Sequence, residues 1–383
     1  MRRFCFVCLV MVLVMLLSTD VCAQTTTEDD NMIEDELASS LELSQFYDSL
    51  PPEVKKALYD LGVKSIDAQS LAQISVSDVF TEITDSAAEE VTSVFASVTV
   101  IITVLLLYAL SDSFFQSMTN DTMKEVLSVV CALCIACALV IPVTKVIDAA
   151  ATAINTSCNF MLAFVPIMVA VLVSCGNTLS GSGYYSLMIF AAQGIAQLSA
   201  KFITPMLNVF LGVTICSTVI PQVKLDSVTD LFAKTIKWML SFAFTIFSAL
   251  LTFRTLITTA MDSVSTRAVR FTLSSFIPVV GAALSEAYKT VQGSINILKN
   301  GIGVFVIFAV AIVFLPIVLR LLVWSFSVSL CKTVSQMLSL NIPGRMLSGV
   351  STVLSVLLAT TLCVMALFII STALIITAGG YNR

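Results

Sequence analysis

The residues whose type and spacing could carry chemistry lie inside long uncharged stretches. Cys131, Cys134 and Cys137 recur at i, i+3 and i+6, on one side of a helix, where three thiolates could ligate a soft metal. Cys158, Cys175, Cys216, Cys331 and Cys363 are scattered through equally apolar sequence. Small hydrophobic packing therefore accounts for all of them, without a metal, a cofactor or a disulfide framework. The ionisable groups are more informative. A charge at membrane depth is costly, so its default reading is a conduit or coupling role. Arg254 and Arg320 are the basic residues nearest hydrophobic depth, and Lys145 with Asp148, and Glu286 with Lys289, are pairs at i, i+3. The plainer account is that long basic side chains snorkel to the interface. The first span after residue 237 is expected to end at Met261, which leaves every acidic residue outside mid-span and weakens a proton-coupled carrier.

Other chemistries are excluded by composition. The 383-residue chain has no histidine, which removes His-dependent triads, His-ligated haem and most catalytic zinc sites. Neither G-x-x-x-x-G-K-[ST] nor G-x-G-x-x-G occurs, so the two common phosphate-binding loops are missing. Gly181-Ser182-Gly183 superficially resembles a serine nucleophile loop, but with no histidine it reads as a flexible connection. No catalytic, metal or cofactor residue is assigned, and any energised step would draw on a separate nucleotide-hydrolysing subunit.

These residues must be positioned by a membrane body. The chain is 57% hydrophobic and 12% charged, about half the charge of a soluble domain. Lipid must solvate the excess, and the expected fold is all-α and polytopic. Arg2 and Arg3 precede the apolar run Phe4 to Leu17, and Val21-Cys22-Ala23 supplies small residues, so residues 1–23 read as a secretory signal cut after Ala23. Residues 24–90 hold 16 acidic and 3 basic residues, against 8 and 15 in residues 91–383. The acidic segment is expected to be a small helical extracytoplasmic domain, with helices at Asn31 to Leu50, Glu53 to Leu61, Ser65 to Ser75 and Val76 to Glu90. Its charge argues against nucleic acid as a partner.

Residues 91–383 form the membrane domain, with about seven spans expected. Val91 to Leu110, Val126 to Thr144 and Gly301 to Leu319 are each long enough to cross a core of about 30 Å. Ala149 to Ala200 is uncharged and is split by the Cys175–Gly183 stretch. Phe202 to Val223 contains Pro205 and Pro221, Val223 to Lys237 is amphipathic and reads as interfacial, and Met346 to Thr377 is long. Basic loop residues divide seven against seven across the membrane, so orientation rests on the signal peptide.

Phe271 to Ser285 contains Pro278 and Gly281 and is short for a straight crossing. It could be re-entrant, and with Glu286, Lys289, Arg254 and Arg320 it is the candidate conduit or assembly region. Ile141-Pro142-Val143 and Phe164-Val165-Pro166-Ile167 find echoes in Ile277-Pro278-Val279 and Phe314-Leu315-Pro316-Ile317. These echoes suggest an internal repeat of 126–261 and 271–378, an organisation found in transporters.

The run Arg267-Ala268-Val269-Arg270-Phe271-Thr272-Leu273-Ser274-Ser275-Phe276-Ile277-Pro278-Val279-Val280-Gly281, then Ala282 to Ala287 and Leu298-Lys299-Asn300-Gly301-Ile302-Gly303, resembles the stage III sporulation protein AE family of endospore-forming bacteria. The resemblance implies a subunit of the multi-protein channel complex joining mother cell and forespore. That subunit would lie in the mother-cell-derived membrane around the forespore, head outward. Its implied partners are other stage III proteins, including a separate secretion-type ATPase and a ring-forming extracytoplasmic subunit. The expected function is a non-enzymatic, permease-like subunit needed for late forespore development. A self-sufficient secondary transporter and a passive scaffold that recruits partners are the alternatives.

Overall fold

In a computed structural model, the structure describes Lys55 and residues 76–115, 121–219, 226–276 and 281–377. The signal segment, most of the acidic head and Pro278 lie outside the described residues. Those described form the helices α1 (Val76–Phe115), α2 (Asp121–Ser174), α3 (Thr178–Leu198), a π-turn (Ser199–Ile203), α4 (Thr204–Val219), α5 (Asp226–Phe276), α6 (Gly281–Met337) and α7 (Asn341–Thr377). Among the described residues, six helical stretches are long and apolar enough to cross a membrane, with α3, the π-turn and α4 forming one of them. The all-α membrane fold expected from composition is therefore present.

Several segments that read as separate elements are continuous. The last expected head helix, Val76 to Glu90, is the start of α1 and runs on into the first span. The stretches 126–144 and 149–174 belong to the single 54-residue α2, which carries Pro142 and Pro166 inside it. At 1.5 Å per residue α2 is about 81 Å long, so the number of helices and the number of crossings are different quantities. The amphipathic stretch read as interfacial forms the first turns of α5. Around the short broken segment, α5 ends at Phe276 and α6 begins at Gly281. Within the suggested repeat, Pro166 and Pro316 both sit inside helices.

The π-turn has a local cause. Pro205 has no N–H, and its ring would strike the carbonyl four residues back. Widening the helix moves that carbonyl aside, and the Thr204 N–H donates to Ser199 O, five residues earlier.

The centre of the bundle is α6 packed on α7. Of their most apolar stretches, 72% and 78% of residues are buried, against 6% for α5. Phe164 of α2, Phe305 and Phe314 of α6 and Phe368 of α7 are fully enclosed. Lipid is as apolar as leucine, so close packing must hold such helices together in place of a hydrophobic drive. Glycines supply the closest approaches. A Cβ on Gly303 of α6 would overlap Ile376 of α7, and one on Gly349 of α7 would overlap Thr214 of α4. α5 lies at the edge, with Phe242, Ile246, Phe253 and Val264 exposed.

Candidate functional site: a charged clasp on the turn between α2 and α3

The stretch from Cys175 to Gly183 is far more ordered than its glycines suggest. Only Cys175, Gly176 and Asn177 are non-helical; Gly181 and Gly183 are buried inside the first turns of α3. This corrects the reading of Gly181-Ser182-Gly183 as a flexible loop. The helix α2 ends in a Schellman motif: Asn177 N–H donates to Leu172 O and Gly176 N–H to Val173 O, both at 2.9 Å. Gly176 takes φ +80°, a conformation open to glycine and costly for other residues.

The start of α3 is capped from elsewhere in the chain. Asn177 occupies the N-cap position, but its side chain makes no capping hydrogen bond. Asp262 of α5 replaces it. Its Oδ1 accepts the Leu179 N–H at 3.1 Å and its Oδ2 accepts the Ser180 N–H at 2.7 Å. Those are the second and third N–H groups of α3, the two that an N-cap side chain normally satisfies. Asp262 is 1% exposed, and the positive end of the helix dipole compensates its charge. α5 thus carries a buried acidic residue just beyond the expected end of its span at Met261. α5 continues past Met261 to Phe276, because the carboxylate that looked like a boundary is enclosed by α3.

The same turn is held from the other side by α6. Tyr288, Gln292, Asn296 and Lys299 recur at i, i+4, i+8 and i+11, on one face of that helix. The Gln292 amide donates to Cys175 O at 2.7 Å, taking up a carbonyl at the end of α2. The Cys175 thiol donates to Asn296 Oδ1 at 3.8 Å. A methyl on Gly176 would stand 3.0 Å from the Tyr288 hydroxyl. Lys299 is 1% exposed, and its charge acts on Cys175. An anion thus faces the amino end of α3, opposite the pole that it stabilises, and Lys299 lies buried within electrostatic reach of Cys175 at the end of α2.

The expected site residues fall around this clasp unevenly. Arg254 is exposed, yet its stem lies along α3: a methyl on Gly183 would meet Arg254 Nε at 3.3 Å and Thr258 Cγ2 at 3.4 Å. Arg254, Thr258 and Asp262 form one i, i+4, i+8 line toward α3. Glu286 is exposed on α6, two residues before Tyr288, and Arg320 is half-buried further along the same helix. Gly281 is the first residue of α6. Pro278 and the side chain of Lys289 lie outside the described residues. Of the cysteine trio, Cys131 is buried while Cys134 and Cys137 are exposed. Among the described residues, His, Cys, Asp and Glu form no group of three or more able to hold a metal ion.

Asp262, Gln292, Asn296 and Lys299 did not stand out in sequence reasoning. The polar i, i+4, i+8, i+11 line on α6 was the available signal. Asp262 had none, because its role depends on a helix end that is distant in the chain.

Comparison with known proteins agrees with the earlier resemblance. The sequence model of the family described as stage III sporulation protein AE matches residues 63–379. A curated relative, the stage III sporulation protein AE of Bacillus subtilis (strain 168), is 26% identical over 235 residues, covering 61% of this chain and 59% of the relative. The chain thus aligns with somewhat less than two thirds of that relative's length. No solved structure matches.

Proposed function

We propose, on the premise that this chain belongs to the stage III sporulation protein AE family, that it is a non-enzymatic, permease-like membrane subunit of a sporulation channel complex. The family match over residues 63–379 carries this reading. The complex joins mother cell and forespore, and this subunit sits in the mother-cell-derived membrane with its acidic head outside the cytoplasm. Its partners are other stage III proteins, among them a separate ATPase and a ring-forming extracytoplasmic subunit. The lack of any histidine or phosphate-binding loop in the sequence supports an energy source in another subunit.

The clasp supports a role in which α2, α3, α5 and α6 move as one body. The Asp262 carboxylate and the Gln292 amide hold one turn from two helices, so sliding either helix breaks buried polar contacts. In this reading Arg254 and Arg320 contribute to the conduit or to assembly, and the α5–α6 connection around Pro278 and Gly281 lies at its edge.

The test is a clean deletion in the spore-forming host. Late forespore development should stop while engulfment completes, and the full-length chain supplied in trans should restore spores. Normal spore yield from the deletion would sink the proposal.

A further inference from the structure

The π-turn and the start of α5 do not close on each other, and an open-sided apolar groove runs between them. Ile203 and Leu240 line its whole length. Met206 and Ile236 mark one end, and Phe244 with Leu367 of α7 marks the other. The charges on α5 set the level of the groove in the membrane. Asp230, Lys234 and Lys237 come first, and no charge follows until Arg254, about 26 Å further along the helix. Trp238 is exposed at that border, as tryptophan is where hydrocarbon meets headgroups. The Met206–Ile236 end is therefore the headgroup end, and the Phe244–Leu367 end lies in hydrocarbon. Lys201, inside the π-turn, is exposed, as is Lys234, and Lys237 is half-buried. Over the π-turn and Asp230–Lys237 there are three lysines and one carboxylate. Ser199 lines the deeper part of the groove and is 1% exposed. Its Oγ has no hydrogen-bond partner among the described residues, and a buried hydroxyl in that state calls for an acceptor from outside.

We infer that this groove holds one anionic phospholipid. An acyl chain lies along Ile203 and Leu240 toward Leu367, an ester carbonyl accepts the Ser199 hydroxyl, and Lys201 and Lys237 hold the phosphate. The order of these groups matches a phospholipid from headgroup to tail. A helix of another protein would supply no acceptor for Ser199, because its backbone carbonyls bond within the helix. A lipid without net charge would leave the excess of lysines at the groove unbalanced. The site goes beyond the functional reading and does not depend on it: a sporulation phenotype says nothing of this lipid.

The test uses the delipidated full chain in detergent, loaded with phosphatidylglycerol or phosphatidylcholine and read by native mass spectrometry. One phosphatidylglycerol should stay bound under activation that strips phosphatidylcholine. Lys201→Ala with Lys237→Ala should lower its retention at least several-fold. Lys145→Ala, which removes an exposed lysine of α2, should leave retention unchanged. Equal retention of the two lipids by the wild type would overturn the proposal, as would equal losses in Lys145→Ala and the double variant. So would a wild-type mass of two chains, or of the chain with another polypeptide, that retains no lipid. A second measurement reads the melting temperature of the same chain. Phosphatidylglycerol should raise it in the wild type and raise it less in Ser199→Ala and in Ala243→Trp, which fills the groove. A rise of the same size in all three chains would also overturn the proposal.

Discussion

Asp262 lies 82 residues from Ser180 in sequence, yet its Oδ2 accepts the Ser180 backbone N–H at 2.7 Å. The contact does for α3 what a neighbouring Ser, Thr or Asp does for most helices. Its partner position, Asn177, is of a good capping type, but its side chain does not cap. Capping by a residue of another helix turns a local signal into a tertiary bond.

Removing that bond leaves two N–H groups at the start of α3 without their acceptor. Asp262→Ala should therefore lower stability by about 2–3 kcal/mol, the range for a lost charge-assisted contact in a buried place. Asp262→Asn keeps the shape and one acceptor oxygen and should cost less. Thermal unfolding of the detergent-solubilised chain, followed by intrinsic fluorescence or circular dichroism, gives the order wild type above Asn above Ala.

Cys175 reports on the same clasp. Burial pushes its thiol up to about 11, and the nearby Lys299 partly opposes that rise. The reactive thiolate is therefore scarce at neutral pH, and labelling should be slow and should quicken as pH rises. Asp262→Ala or Gln292→Ala loosens the turn, exposes the thiol and lowers its ionisation range. Alkylation of Cys175, followed by mass spectrometry of its peptide at pH 7.5 (about neutral), should accelerate at least several-fold in both variants.

Two positions with positive φ respond in opposite directions to their natural residue. Gly176 has φ +80° and no room for a methyl beside Tyr288, so Gly176→Ala should destabilise by about 1–2 kcal/mol. Ser339 takes φ 57° in the equivalent Schellman position after α6, where Leu340 N–H donates to Ser335 O and Ser339 N–H to Gln336 O. Ser339→Gly should stabilise by about 0.5–1 kcal/mol, since glycine adopts that conformation freely. Melting temperatures of the two variants should move apart on either side of wild type.

The close approach of α6 and α7 predicts a rescue. Gly303→Ala places a methyl into Ile376, and overpacking of this kind costs about 1–3 kcal/mol. Ile376→Ala alone removes the side chain that packs on Gly303. The double variant should be more stable than the sum of the two losses implies, and a double-mutant cycle on unfolding temperatures reads that coupling directly.

How much of this was legible in the sequence depends on the range of the interaction. The helical membrane body follows from long uncharged stretches, and the split near Cys175 follows from Gly176 and its polar neighbours. Continuity was harder to read. Lys145 and Asp148 looked like a boundary, but both are exposed on an unbroken α2. Pro142 lies inside the same helix, because membrane helices tolerate proline when neighbours satisfy the freed groups. Gly181 and Gly183 suggested looseness; in α3 their lack of side chain admits Leu172 and Val173 of α2 at one and Arg254 of α5 at the other. The clasp could not be read at all, since Asp262 and Gln292 acquire their meaning only from a turn synthesised long before them.

That order of synthesis has a consequence for biogenesis. A ribosome adding about 5–20 residues per second completes the turn after α2 roughly 4–16 s before it reaches Asp262, and Gln292 follows later still. During that interval the start of α3 has no cap and the end of α2 no amide donor. A nascent chain stalled before residue 262 should therefore leave α3 open to proteases or chaperones, and release past residue 292 should protect it abruptly.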